Sequence, residues 1–372
     1  MSPDDVLAPA AGREKRARPR ARLIDCDVHH ALRSLKDLSP YLSRRWRDHL
    51  DAYGSRQPMA FRGSSPTLQA APASARADAW PPDGGPPGSN LDLMRAQLLD
   101  RYDVEYGLLH LAFPQGMDQR NQELGAAICR ALNEWVVEHW TSREKRLKAA
   151  IMVPGEDPEA AVEEIERWAG HPGFAQISMV THSIEPLGRR RYWPVYDAAV
   201  RHDLPVGLHS SGCNGQAVSG VGWPSFHLEE QHAVALSQQA VVVSLVIEGV
   251  FELHPSLRVV MIGAGFAWVP SLCWRMDHAW ARMRDEVPHL TDPPSEYIRR
   301  HFWFTTQPAD EPERPEALRR VIDWVGWDRI LFASDYPRCD MDDPEHAFQI
   351  RLSEEERRMV FSANARSVYR LG

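Results

Sequence analysis

Eight short apolar runs rich in β-branched residues, most of them followed by a stretch of helical period, most constrain this chain. The runs fall at 23–28, 106–111, 147–153, 174–180, 205–209, 257–263, 301–306 and 329–333. Helical stretches at 121–140, 158–168, 193–202, 228–251 and 315–325 lie between them. Glu156-Asp157-Pro158 and Pro315 carry helix-start chemistry, an acid and a ring that pre-sets φ at the first helical position. Buried-type strands alternating with helices predict an α/β fold, a single (β/α)8 TIM barrel. A doubly wound open sheet is the rival, because periodicity counts strands without showing closure. No Gly-rich nucleotide loop supports its dinucleotide-binding form.

The length of 372 residues permits two or three domains, or one barrel of roughly 250 residues with insertions. Segment 54–92 holds seven prolines and five glycines, too many for sustained regular structure. It reads as an insertion after the first strand, draped over the face where barrel enzymes work. Residues 1–21 read as a disordered basic tail and 22–372 as the barrel domain. A net charge of -8 argues against general nucleic-acid binding. No apolar run approaches the roughly 18 residues of a membrane span. Five scattered cysteines without a CxxC pair suggest neither a disulfide framework nor a thiolate zinc site. With no apolar leader of the signal-peptide kind, the expected address is the cytoplasm.

Strand ends carry the candidate chemistry. Asp25, Asp27 and His29 alternate along the first strand, and strict period two puts all three on the inner face. Polar groups inside an apolar barrel are costly unless they bind something. His209 ends the fifth strand within Gly207-Leu208-His209, and Asp335 follows the eighth within Ser334-Asp335-Tyr336-Pro337. Each alone has an ordinary structural reading, as a turn, a core histidine or a helix cap. Together they put Asp27, His29, His209 and Asp335 at the catalytic end, a mixed imidazole and carboxylate set suited to Zn²⁺ or Mn²⁺.

Several segments resemble the amidohydrolase-related family that includes aminocarboxymuconate-semialdehyde decarboxylase-like enzymes. They are Ile24-Asp25-Cys26-Asp27-Val28-His29, Gly222-Trp223-Pro224-Ser225-Phe226, His254-Pro255-Ser256-Leu257-Arg258-Val259-Val260 and Pro294-Ser295-Glu296-Tyr297-Ile298. Phe304-Thr305-Thr306-Gln307-Pro308, the Asp335 segment and Asn364-Ala365-Arg366 complete the match, from about Arg22 to Leu371. The resemblance implies a metal-dependent barrel acting on small carboxylated, aromatic or lactone- or amide-type substrates. It makes Asp27, His29 and His209 ligands, with Asp335 as ligand, metal-proximal acid/base or both. Zn²⁺ is the first expectation and Mn²⁺ the alternative.

Two positions depart from the family pattern. Gly263 stands where relatives usually have His or Glu, and Arg338 where His commonly follows Tyr-Pro. Glycine offers no proton acceptor, whereas arginine holds a carboxylate bidentately. His227 is the preferred replacement acid/base, and Arg338, His182 and Trp223 are the expected substrate contacts. The leading expectation is a hydrolase using metal-activated water. Its alternatives are a non-oxidative decarboxylase of an aromatic or unsaturated acid and, because of Gly263 and Arg338, a ligand-binding pseudoenzyme or a diverged non-hydrolytic enzyme. The expected partner is a small molecule, with a homodimer possible. Trp268, Trp274 and Trp280 read as core or subunit-interface residues.

Overall fold

A computed structural model describes residues 22–54, 75–112, 116–117, 119–209 and 219–372, without the side chains of His227 and Glu230. The basic tail and much of the proline-rich insertion therefore lie outside the described residues. Eight parallel strands run in sequence order: β1 Leu23–His30, β2 Val104–Leu111, β3 Leu147–Met152, β4 Phe174–Val180, β5 Val206–His209, β6 Val259–Ile262, β7 Phe302–Thr305 and β8 Ile330–Leu331. β8 returns to β1: Cys26 N donates to Phe332 O (2.9 Å) and His29 N to Tyr336 O (2.7 Å). Sequential order with first and last strands joined is a barrel, which disposes of the open-sheet rival.

The helices follow from local chemistry. Helix Pro158–Trp168 is capped by the Asp157 side chain, which accepts from Ala160 N at 3.1 Å, with Pro158 at its start. Pro315 opens helix Pro315–Val325 in the same way. The apolar run at 228–251 is not one helix. It divides into His227–Ile247 and Val250–Leu253 at Gly249, whose φ of 78° belongs to the left-handed region. Trp268 packs edge-to-face on Phe304, while Trp274 lies more than half exposed beside Trp324.

Two apolar regions flank the strand wall. The larger fills the space between strands and helices, with Val28, Leu109, Ile151, Ile177 and Phe304. The smaller gathers Ile24, Cys26, Leu108, Ala175, Val260, Ile262 and Leu331 with Ala365, Val368 and Tyr369 of helix Asn364–Tyr369. This C-terminal helix thus shares one apolar cluster with side chains from five strands.

The described end of the insertion fastens onto the opposite mouth. Arg76 N donates to Pro337 O (3.1 Å), and Ala31 N donates to Gly88 O (3.0 Å). Gly88 has a φ of +82°, and a Cβ there would come within 2.7 Å of His29 O. Only glycine lets the segment approach the end of β1 this closely.

Candidate metal centre

A change of register in β1 sets the geometry of the site. Pairing with β2 shifts between Asp25 and Val28, placing one extra residue in β1. Ile24 and Cys26 occupy the smaller core, and Asp27 and His29 come together beyond them. Asp25 does not join them, contrary to strict alternation. Its Oδ1 accepts from Ser334 N (2.9 Å) and Asp27 N (3.2 Å), tying β1 to the end of β8. Burial pushes its carboxyl up to about 7.

Asp27, His29 and His209 each offer a ligand atom, all within 4.8 Å of one another. Asp27 Oδ1 lies 3.3 Å from His29 Nε2, and Asp27 Oδ2 lies 3.6 Å from His209 Nε2. Gln238, buried in the helix above, holds the ends of β5 and β6 together through Leu208 O (3.3 Å) and Ile262 O (2.6 Å). Both Asp27 oxygens, His29 Nδ1 and both His209 nitrogens lack hydrogen-bond partners among the described residues. A buried carboxylate without hydrogen bonds, faced by imidazole nitrogens, fits a divalent cation on chemical grounds.

Asp335 lies against this trio from β8. Its Oδ1 is 2.8 Å from His29 Nε2, and its Oδ2 is 3.6 Å from Arg338 Nε. Its backbone sits at a φ of 58°, a conformation uncommon outside glycine. Asp335 N donating to Asp27 O (3.1 Å) and Tyr336 N donating to Ser334 Oγ (3.1 Å) secure that turn. Burial opposes ionisation of Asp27, but the His29 and His209 rings outweigh it and hold the carboxyl below its ordinary range. Burial raises Asp335, with His29 and Arg338 opposing the shift. His29 itself is raised: burial disfavours its cation, and Asp27 and Asp335 more than compensate.

The other expected residues are placed as follows. Arg338 is half-buried beside Asp335, with its Nε fully covered. His182 follows β4 with Nδ1 3.3 Å from Thr181 Oγ1. Trp223 is half-buried ahead of the helix opened by His227, whose side chain lies outside the described residues. Gly263 follows β6 with a φ of +75°, its N–H donating to Thr305 Oγ1 at 3.0 Å. A Cβ there would meet His209 at 3.8 Å and Asp27 Oδ2 at 4.0 Å, so this position faces the trio without supplying a base.

One residue escaped the sequence reading. His110 ends β2 opposite His29 in the register, 3% exposed, with its ring 5.6 Å from that of His209. The signal was present in Leu108-Leu109-His110-Leu111, a lone polar residue near an apolar strand end like that at His209.

The comparisons agree with this architecture. A gamma-resorcylate decarboxylase of Polaromonas sp. (strain JS666 / ATCC BAA-500) is 26% identical over 298 residues, covering 74% of this chain and 86% of that protein. A crystal structure of a dihydroxybenzoic acid decarboxylase from Polaromonas sp. JS666, with bound manganese and the inhibitor 2-nitroresorcinol, superposes with a TM-score of 0.66 at 20% identity. It covers 94% of this chain and 97% of that one. An amidohydrolase from Mycobacterium avium subsp. paratuberculosis K-10 gives 0.71 at 22% identity, covering 95% and 100%. The family model described as Amidohydrolase matches residues 24–371. On that match, spanning every strand of the barrel, the chain belongs to the amidohydrolase family.

Proposed function

We propose that this protein is a divalent-metal-dependent decarboxylase releasing CO₂ non-oxidatively from a hydroxylated aromatic acid. This replaces the hydrolase reading that led from sequence. The observation that carries it is Gly263, which faces Asp27 and His209 from β6 and brings no group to take a proton from water. Hydrolysis needs such a base or a fully metal-activated water, whereas decarboxylation needs charge stabilisation and one proton donor. Similarity to a gamma-resorcylate decarboxylase supports the same choice.

Asp27, His29 and His209 would hold the ion, and manganese in the Polaromonas structure makes Mn²⁺ the first to test. When bound, the ion supplies a Lewis-acid centre for the substrate carboxylate and a neighbouring oxygen. Arg338 offers its fork to an anionic substituent. Asp335, lodged between His29 and Arg338, delivers the proton. The carbon–carbon bond to the carboxylate breaks, its electron pair stays on the ring carbon, and that carbon takes the proton from Asp335. CO₂ departs, and Asp335 regains a proton from water. His182 and Trp223 are proposed as substrate contacts and His227 as a second proton carrier.

Protein reconstituted with Mn²⁺ should release CO₂ from hydroxybenzoates and yield the corresponding phenol. Asp335→Asn should retain metal and lower kcat by roughly a hundredfold or more, while His209→Ala should lose metal. Turnover of amides or lactones with no CO₂ from any aromatic acid would refute the decarboxylase reading.

A further inference from the structure

His110 puts a buried acceptor beside the site that neither the metal trio nor the proton path uses. Its ring bonds the Cys26 backbone, and Nε2 has no partner among the described residues. A ring nitrogen bound to a backbone carbonyl is the protonated one, so the lone pair falls on Nε2. The rings of His29 and His209 lie 6.4 and 5.6 Å away, centroid to centroid. Neither is a donor to His110, since His29 Nδ1 and both His209 nitrogens are themselves unpartnered.

The ordinary readings fail on these facts. A histidine serving packing alone would not leave a buried nitrogen unsatisfied next to other unsatisfied nitrogens. A fourth ligand would fall in the same compact group, yet among the described residues that group is Asp27, His29 and His209 alone. An acceptor beside the ion's ligands is suited to a donor on the molecule that the ion holds. Strand order sets β2 and β6 on opposite sides of the barrel. The side chain missing at Gly263 therefore has its counterpart across the mouth.

We infer that His110 is a specificity-determining residue whose Nε2 accepts a hydrogen bond from a hydroxyl group on the aromatic substrate. The inference rests on the decarboxylase reading and adds a requirement to it. The ring must carry a hydroxyl that reaches β2 while its acid group lies at the metal trio. The contact orients the ring and rejects analogues lacking that hydroxyl, because binding them leaves Nε2 buried and unpaired.

The test uses Mn²⁺-loaded protein and two probes that cannot lose CO₂, 2-nitroresorcinol and 2-nitrophenol, which differ by one hydroxyl beyond the oxygen that lies beside the ion. Binding is measured by calorimetry at mildly acidic pH, where the phenol keeps its proton. In the unmodified protein the second hydroxyl should tighten binding about tenfold. In His110→Phe that gain should shrink to within about twofold, and His110→Gln, which keeps an acceptor, should restore part of it. Metal content should be the same in all three, unlike His209→Ala. Circular dichroism of the Gln variant guards against mistaking misfolding for lost contact. A hydroxyl preference that survives in His110→Phe overturns the inference alone, as does loss of metal from a folded His110→Gln. Failure of the unmodified, metal-loaded protein to bind either probe overturns the aromatic-acid reading and this inference with it.

Discussion

Gly263 shows how one absent side chain changes a site without disturbing its frame. The nearest atoms to a Cβ there are His209 and Asp27 at 3.8 Å or more, ordinary contact distance. The cost of substitution therefore lies in the backbone at φ +75°. Gly263→Ala should destabilise the fold by about 1 to 2 kcal/mol, read as a lower midpoint in chemical denaturation, with metal content unchanged. That Asp27, His29 and His209 come together was legible in sequence because all three fall at strand ends on one side of this fold. Asp25 was misassigned because period two cannot reveal a register shift, and one extra residue reverses which side chains face inward. His110 was passed over because a single histidine in an apolar strand looks like packing until its partners are counted. The placement of His182, Trp223 and His227 depends on loops whose shape no periodicity encodes.

At the level of elements, side chains complete what the ladders leave open. Asn133, buried in helix Gln122–Val136, donates to Met152 O (2.9 Å) and to Glu164 Oε2 (3.1 Å) and accepts from Met152 N (2.9 Å). It joins that helix, the end of β3 and helix Pro158–Trp168. Asn133→Ala should cost about 2 to 4 kcal/mol, because it leaves buried polar groups unpaired, and denaturant titration would measure the loss. Glu144 ties the approach to β3 to Arg146 and Arg95, with charged hydrogen bonds of 2.9 Å to each. Chiefly through the Arg146 hydrogen bond, its carboxyl lies at about 2, below its ordinary 4.5. A depressed folded value means stabilisation present above pH 4.5 and lost as pH falls toward 2. The melting-temperature gap between the protein and Glu144→Gln should therefore be full at neutral pH and close across that window. The strands lay within a few residues of their sequence positions, since β-branched apolar runs have few other uses here. The break at Gly249 was hidden because the apolar run continues through it.

At the scale of the whole molecule, the described residues form one closed barrel with the candidate metal centre at one mouth and a helix packed against its inner core. Ala365, Val368 and Tyr369 bury themselves against Ile24, Cys26, Leu108 and Leu331. Removing residues 364–372 should expose that apolar surface, and the truncated chain should lose its cooperative thermal transition and precipitate. Closure was the one global property the sequence left open between two folds. It depends on backbone hydrogen bonds between the first strand and the last, which no local pattern records. That seam also orders the protein's biosynthesis. Asp25 and Ser334, bonded across it, stand 309 residues apart. A ribosome delivers β1 first and β8 near the end, so through almost the whole of translation the free edge of β1, carrying two carboxylates and two histidines, has no strand to close on.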